Sequence, residues 1–299
     1  MIPAHQEPKG SGPDLAVCLN AYSGYSLEVA LAQVREALGW RSAELDAIDG
    51  LFCHIDLDRV TSPVYRKGIT DVFTDTGVSC RAVSAQRPPV DRLDSAGVAR
   101  MTGLVELTRE LGSDRIILGA GTDEASFRQG IQVLLAIAEP LGLVIGLETQ
   151  GPRQLVHDST CVNLIRSIDS EHLDVNYDFG NAYFALDGRL DMLADFLRMQ
   201  SIVGHAHFKD AVRNADGDFT LSPITGHIVD YAAVLAAIHT QPIPVSIELP
   251  RRMILSSGTR RSAVPALATV NGDLAASIEL VTGLWRQAHT RDSTPEAPA

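Results

Sequence analysis

Hydrophobic residues along the chain follow two alternating spacings. Short apolar runs, typical of buried strands, alternate with stretches in which apolar residues recur every three or four positions, as on one face of a helix. In the first helical stretch Leu27, Leu31, Val34 and Leu38 share one face, and Ser26 is a candidate N-cap. The pattern predicts eight strands, at residues 14–20, 42–48, 78–85, 114–120, 143–148, 173–178, 202–207 and 244–248.

Each predicted strand is followed by a predicted helix. The helices are expected near residues 26–38, 61–76, 95–111, 127–138, 159–168, 190–199, 230–239 and 274–287. Eight such repeats predict an α/β protein made of a single (β/α)8 TIM barrel. A doubly wound sheet is the alternative, but the turn after the first strand, NAYSGYS, lacks the glycine pattern of nucleotide-binding sheets. We expect a flexible lead at 1–13, the barrel domain at 14–290 and a disordered tail at 291–299.

Composition and charge narrow the range of partners that this protein can be expected to bind. The 299 residues are 45% hydrophobic, and the formal net charge is -12. An acidic surface repels phosphate backbones, so a nucleic-acid partner is not expected. The sequence has no apolar run long enough for a membrane span and no secretory signal at its start. Its four cysteines form no CxxC pair, which together with these features predicts a cytoplasmic protein with reduced cysteines.

Four consecutive predicted strands each end on a residue that can bind a metal ion. These residues are Glu148, Asp178, His207 and Glu248, spaced by about one strand-helix unit. Any one of them alone would usually be a solvated loop residue or a helix cap. In a barrel, however, the carboxyl ends of the strands meet at one mouth, where active sites are built. Three carboxylates and one imidazole suit one divalent ion, Mn²⁺ first, with Mg²⁺, Co²⁺ or Zn²⁺ as alternatives.

The motifs around these residues resemble those of a known family. The chain is similar to xylose-isomerase-like TIM barrels of the sugar-phosphate isomerase/epimerase superfamily. The resemblance covers essentially the whole chain, and its specific motifs are GLETQGP (146–152), LDVNYDFGNAYF (173–184), VGHAHFKDA (203–211) and PVSIELP (244–250).

The resemblance implies roles for individual residues. It implies that the four strand-end residues bind one divalent metal ion, and that Glu148 and Glu248 also exchange protons with the substrate. It further implies that Arg213, six residues after the histidine, holds the substrate. Two positions depart from the ketose 3-epimerases of the family: Asn181 replaces a histidine, and Gln154 replaces a glutamate. These amides leave the metal ligands intact but argue against a simple ketose 3-epimerase.

Further substrate-binding candidates lie at or just after the predicted strand ends. They are Asn181, Gln150, His54, His205 and His227. For His205 the alternative is a hydrogen-bonded position in the core, because it lies one inward step below His207 on the same strand. For His227 the alternative is a position at the start of a helix.

The predicted function is a divalent-metal-dependent sugar isomerase or epimerase. A carboxylate would remove a proton next to a carbonyl, and the metal would stabilise the resulting enediolate. The alternative is a metal-dependent lyase or dehydratase of a keto sugar or cyclitol, similar to inosose dehydratases or to enzymes that cleave 3-keto C-glycosides. The expected partner is a small-molecule sugar or keto sugar. A homo-oligomer is also expected, with an accessory subunit as a further alternative.

Overall fold

The computed structural model describes residues 12–151, 153–185, 188–215, 217–255 and 259–292. The strands in these residues are β1 (Leu15–Cys18), β2 (Ser42–Ile48), β3 (Phe52–Cys53), β4 (Ser79–Ser84), β5 (Arg115–Leu118), β6 (Val144–Glu148), β7 (Leu173–Asp178), β8 (Val203–Phe208), β9 (Asp210–Arg213), β10 (Phe219–Ser222), β11 (Val245–Ile247), β12 (Met253–Leu255) and β13 (Thr259–Arg261). The helices are α1 (Leu27–Ala32), α2 (Pro63–Thr76), α3 (Ser95–Glu110), α4 (Glu124–Ala138), α5 (Val162–Arg166), α6 (Phe179–Ala185), α7 (Met192–Met199), α8 (Tyr231–Thr240) and α9 (Leu267–Asp292).

Eight parallel strands close into a barrel. Their order around it is β1, β2, β4, β5, β6, β7, β8 and β11, and β1 pairs with both β2 and β11 to close the ring. Helices surround this barrel, and the prediction of a single (β/α)8 TIM barrel is confirmed. No helix in the described part of the chain is both long and apolar enough to cross a membrane.

The helices begin where a short polar side chain can accept a backbone N–H. Ser62 accepts from Tyr65 N before α2, and Pro63 occupies the first turn, where its missing N–H has no cost. The same capping role falls to Ser26, Asp94, Asp123, Asp191 and Asp230.

The predicted element boundaries agree best with the observed ones for strands inside the barrel. The strands predicted at 42–48 and 173–178 match β2 and β7 at both ends. The helical region predicted at 190–199 contains α7, and α6 precedes it. The last helix, predicted at 274–287, runs from Leu267 to Asp292 and so includes the first two residues of the predicted tail. Most of the predicted lead and tail lies outside the described residues.

A partly buried ion pair lies at the amino-terminal end of the barrel. Arg115 of β5 and Asp174 of β7 are joined by two hydrogen bonds, of 2.5 and 2.7 Å. Gly146 and Gly204 leave room for this pair, because a Cβ at Gly204 would overlap the Asp174 carboxylate. The pair occupies the base of the barrel and leaves the carboxyl end for a site.

A second, antiparallel sheet was not predicted. β9 and β10 form a hairpin after β8, β12 and β13 form another after β11, and β10 pairs with β12. Because both hairpins follow the carboxyl ends of barrel strands, this small sheet lies at the mouth of the barrel.

Candidate metal centre

The four predicted ligands converge at the carboxyl end of the barrel. Glu148 ends β6, Asp178 ends β7, His207 lies near the end of β8, and Glu248 follows β11. One ligand atom from each lies within 4.8 Å of the other three, and all four residues are buried. His207 Nδ1 is 3.1 Å from Glu148 Oε1, 3.1 Å from Glu248 Oε2 and 3.7 Å from Asp178 Oδ2.

These distances fit a shared cation. Neighbouring ligands at about 2.1 Å from an octahedral ion lie roughly 3 Å apart, close to the spacing between His207 and the two glutamates. Within the described residues, Glu148 Oε2 is buried and has no hydrogen-bond partner. Such an oxygen costs free energy unless something binds it. Carboxylate oxygens with one imidazole nitrogen are donors that suit Mn²⁺ or Mg²⁺.

The crowded ionisable groups shift one another's pKa. Burial, assisted by the charges of Asp178 and Glu248, raises the pKa of Glu148 to about 8 against the opposing effect of His207. Burial also works against ionisation of Asp178, but Lys209 and His207 outweigh it and hold the pKa of Asp178 well below its usual range. The protein alone therefore balances its carboxylates with protons and with Lys209, and a divalent cation would compete with those protons.

Lys209 also belongs to the site, although sequence analysis assigned no role to this residue. Its side chain is buried, and its Nζ lies 2.8 Å from Asp178 Oδ2 and 2.7 Å from Glu248 Oε2. It also donates to Asn181 Oδ1 at 3.3 Å. Gly180 makes room for the lysine stem, because a Cβ there would overlap Lys209 Cδ. The sequence could have predicted this position, because Lys209 follows His207 by two residues and strand alternation directs both side chains inward.

A ring of hydrogen bonds lies beneath the four ligands. His207 Nε2 is 3.1 Å from Glu44 Oε2, and Ser246 Oγ donates to the same oxygen at 2.9 Å. His205 Nε2 lies 3.1 Å from Ser246 Oγ, and His205 Nδ1 lies 2.7 Å from Asn176 Oδ1. Asn176 Nδ2 closes the ring at 3.2 Å from His207 Nδ1. Sequence reasoning had not singled out Glu44, Ser246 or Asn176.

His205 lies inside this ring. It is fully buried, and both of its ring nitrogens have protein neighbours within hydrogen-bond distance. Burial lowers the pKa of His205 well below its usual value, so its imidazole is neutral. This geometry favours the core alternative over contact with a substrate.

Asn181 belongs to the cluster. Its Nδ2 lies 3.4 Å from Glu148 Oε1 and donates to Thr149 O at 3.1 Å, and its backbone N–H donates to Asp178 Oδ1. Gln150, just after β6, donates to Gln86 Oε1 at 3.1 Å. Asn181 therefore lies beside a carboxylate of the cluster, whereas Gln150 pairs with another amide.

The remaining predicted substrate residues occupy different surroundings. His54 follows β3, and among the described residues neither of its buried ring nitrogens has a hydrogen-bond partner. Arg213 is exposed on β9, with its guanidinium 4.2 Å from the centre of the Phe219 ring. It also donates to Gly217 O, which holds it within the hairpin. His227 is exposed, and its backbone N–H donates to Asp210 Oδ2.

Comparisons with known proteins agree with the fold. A family model described as xylose isomerase-like TIM barrel matches residues 31–268. No curated protein matches the chain significantly. Among solved structures, D-psicose 3-epimerase from Clostridium cellulolyticum H10, determined with D-tagatose, superposes with a TM-score of 0.68 at 14% identity. That match covers 91% of this chain and 99% of the epimerase.

Two further structures are similar to the same extent. A xylose isomerase-like TIM barrel protein from Mycobacterium smegmatis, in complex with magnesium, has a TM-score of 0.69 at 15% identity, covering 93% of this chain and 98% of that protein. A probable 3-DHS dehydratase from Bacillus anthracis has a TM-score of 0.65 at 16% identity, covering 90% of this chain and 98% of the dehydratase. At such low identities the likeness shows the fold alone.

Proposed function

Because the chain belongs to the xylose isomerase-like TIM barrel family, we propose that it is a divalent-metal-dependent sugar isomerase or epimerase. The observation that carries the proposal is the convergence of Glu148, Asp178, His207 and Glu248 within 4.8 Å of one another. The solved relatives include a sugar epimerase and a magnesium complex, which agree with this assignment.

In this proposal the four residues hold one divalent cation, with Mn²⁺ the best fit to the donor set and Mg²⁺, Co²⁺ or Zn²⁺ as alternatives. A cation bound there would polarise a carbonyl and make the neighbouring C–H bond more acidic. Glu148 and Glu248 supply the carboxylates that take and return the proton. Both lie 3.1 Å from His207 Nδ1, so two carboxylates border the same space.

Substrate contacts are proposed for side chains around the mouth. Asn181 is the best supported, because its amide lies beside Glu148 and Lys209. Gln150, His54, His227 and Arg213 remain proposals of the same kind. For His205, with both nitrogens engaged, we propose a supporting role below the site.

Elimination is the second candidate reaction, and Lys209 is the observation that favours it. A lyase or dehydratase has to stabilise the negative charge that develops on the leaving group, and it also needs a base for the proton. The Lys209 ammonium lies 2.7 Å from Glu248 Oε2, so a positive charge that could stabilise a leaving group is next to a candidate base. The same cluster could thus release water or an alcohol from a keto sugar or cyclitol.

Metal analysis and a deuterium experiment test the proposal together. The purified protein and a Glu148→Gln variant are assayed for bound divalent metal and incubated in D₂O with keto sugars, inososes and 3-keto glycosides. Deuterium in an isomeric product supports isomerisation or epimerisation, whereas loss of water or an aglycone supports elimination. The control is Glu124→Gln, at an exposed ion pair on α4.

The expected result is that Glu148→Gln loses metal and turnover while Glu124→Gln keeps both. A Glu148→Gln protein that binds metal and turns over substrate like the wild type would overturn the assignment.

We further propose a homo-oligomer, with an accessory subunit as the alternative. Sedimentation velocity of the purified chain would distinguish a homo-oligomer from a monomer.

A further inference from the structure

Glu44 reaches the candidate metal centre from the other half of the barrel. It lies on β2, which β1 and β11 separate from β8 around the ring. The parallel pairing of β2 with β4 shifts register between Ala43 and Glu44. The Glu44 side chain is fully buried, and its Oε2 lies 3.1 Å from His207 Nε2 and 2.9 Å from Ser246 Oγ.

In a neutral His207 imidazole, this contact favours a proton on Nε2, and the Asn176 amide nitrogen 3.2 Å from Nδ1 favours the same tautomer. An ionised carboxylate only accepts hydrogen bonds, so a bond between Glu44 and Nε2 requires a hydrogen on Nε2. Without Glu44, the carboxylates 3.1 Å from Nδ1 would favour a hydrogen on Nδ1 instead. That hydrogen would occupy the lone pair that a metal ion needs.

We propose that Glu44 is a positioning residue that keeps the Nδ1 lone pair of His207 directed at the metal site. Carboxylates that accept from the far nitrogen of a ligating histidine fix both the tautomer and the orientation of the ring. This inference rests on the proposed metal site, but it concerns a residue outside the four ligands.

A second arrangement of the same residues makes the proposal falsifiable. Cys18, Glu44 and His207 also have ligand atoms within 4.8 Å of one another. An ion bound there would use Nε2 and would make Glu44 a ligand. The positioning role requires Nε2 to be protonated and one metal ion per chain.

Calorimetric titration of metal-free protein with Mn²⁺ tests the role of Glu44 directly. We expect Glu44→Gln to bind Mn²⁺ about 10- to 100-fold more weakly than the wild type. At saturating Mn²⁺ its kcat should return close to that of the wild type, because Glu44 contacts no reacting atom in this scheme. Glu124→Gln, at the exposed ion pair on α4, is the matched control: it removes a carboxylate far from the site, and its Mn²⁺ affinity should stay close to wild type.

The tautomer is read from long-range ¹H–¹⁵N spectra of protein labelled with ¹⁵N-histidine and loaded with Mg²⁺. The expected His207 signal has a proton on Nε2 and none on Nδ1. If folded Glu44→Gln binds Mn²⁺ as tightly as the wild type does, the positioning role is ruled out while the proposed function is left intact. A wild type that binds no divalent ion would remove both. If Glu44→Gln does not fold, the wild-type spectrum decides, because an unprotonated Nε2 contradicts the proposal.

Discussion

Lys209 Nζ lies 2.7 Å from Glu248 Oε2 inside the barrel, where both side chains are buried. The protein thus holds a cation of its own against a carboxylate that is also a candidate metal ligand. The charge of Asp178 is neutralised by the same ammonium, at 2.8 Å. Lys209 and the proposed divalent ion would therefore share the same two carboxylates.

Removing the lysine charge should destabilise the metal-free protein. In Lys209→Met, two buried carboxylates lose their partner, and breaking such a pair costs about 3–5 kcal/mol in free energy of unfolding. Saturating Mn²⁺ should reduce the loss, because the ion neutralises the same carboxylates. Urea denaturation with and without Mn²⁺ measures both effects.

Lys67→Met is the matched control for this experiment. Lys67 pairs with Asp71 on the surface of α2, where both side chains are more than half exposed. Its removal should cost no more than about 1 kcal/mol, with or without metal. Equal losses at the two lysines would show that Lys209 is not electrostatically coupled to the site.

A side chain at position 180 should destabilise the protein. In Gly180→Ala the added Cβ would overlap Lys209 Cδ and lie 2.7 Å from Lys209 Cγ. We expect a loss of about 1–3 kcal/mol, as for other overpacked positions. Thermal unfolding measures it. Gly68→Ala on exposed α2 is the control, since nothing lies within 4 Å there and alanine favours helix. Equal changes in thermal stability for Gly180→Ala and Gly68→Ala would rule out the predicted clash.

Arg213 tests the substrate contact implied by the family resemblance. Once a substrate is found, Arg213→Gln should raise KM about 10-fold or more, because a charged hydrogen bond to the substrate is lost. Little change in kcat is expected if the contact is equally strong in the ground and transition states. The contrary result is an unchanged KM with reduced stability, which would assign Arg213 to its contacts with Phe219 and Gly217 in the hairpin.

The thiols should divide into one reactive group and three protected ones. Cys18, Cys80 and Cys161 are buried, and Cys53 is exposed. Burial raises the pKa of Cys80 and of Cys161 to about 12, so neither forms thiolate near neutral pH. Burial also raises the pKa of Cys53, but this thiol is exposed, so an aromatic disulfide reagent at pH 8 should react with it first in the native protein and with all four thiols after denaturation. Cys53→Ser should abolish the fast phase.

The barrel and the convergence of the four candidate ligands could be predicted because both depend on regular spacing. Strands and helices alternate with distinct hydrophobic periods, and the ligands recur at strand ends. The small antiparallel sheet was missed because its strands, DAVR, FTLS, MIL and TRR, are too short for a periodic pattern. Tertiary pairing forms them, and no local signal marks it.

Glu44 was missed for a different reason. SAELDAI, the sequence of β2, alternates apolar and polar residues, which in an open sheet indicates a polar face towards water. In a closed barrel that face points into the interior, so Glu44 and Asp46 are buried. Lys209 was overlooked because lysine is rarely buried without a partner, and its partners come from other strands.

The position of Glu44 links the two halves of the chain. All four proposed ligands lie between residues 148 and 248, so a fragment containing only the second half would carry every atom that contacts the ion. It would lack Glu44, and also Asn20, whose amide donates to Glu248 Oε1 at 3.0 Å. Such a half-barrel would have its ligands without the groups that orient them. In the proposed metal site, ion affinity should therefore depend on closure of the barrel, and a cut or circular permutation that loosens β1 and β2 should weaken ion binding without changing any of the four proposed ligands.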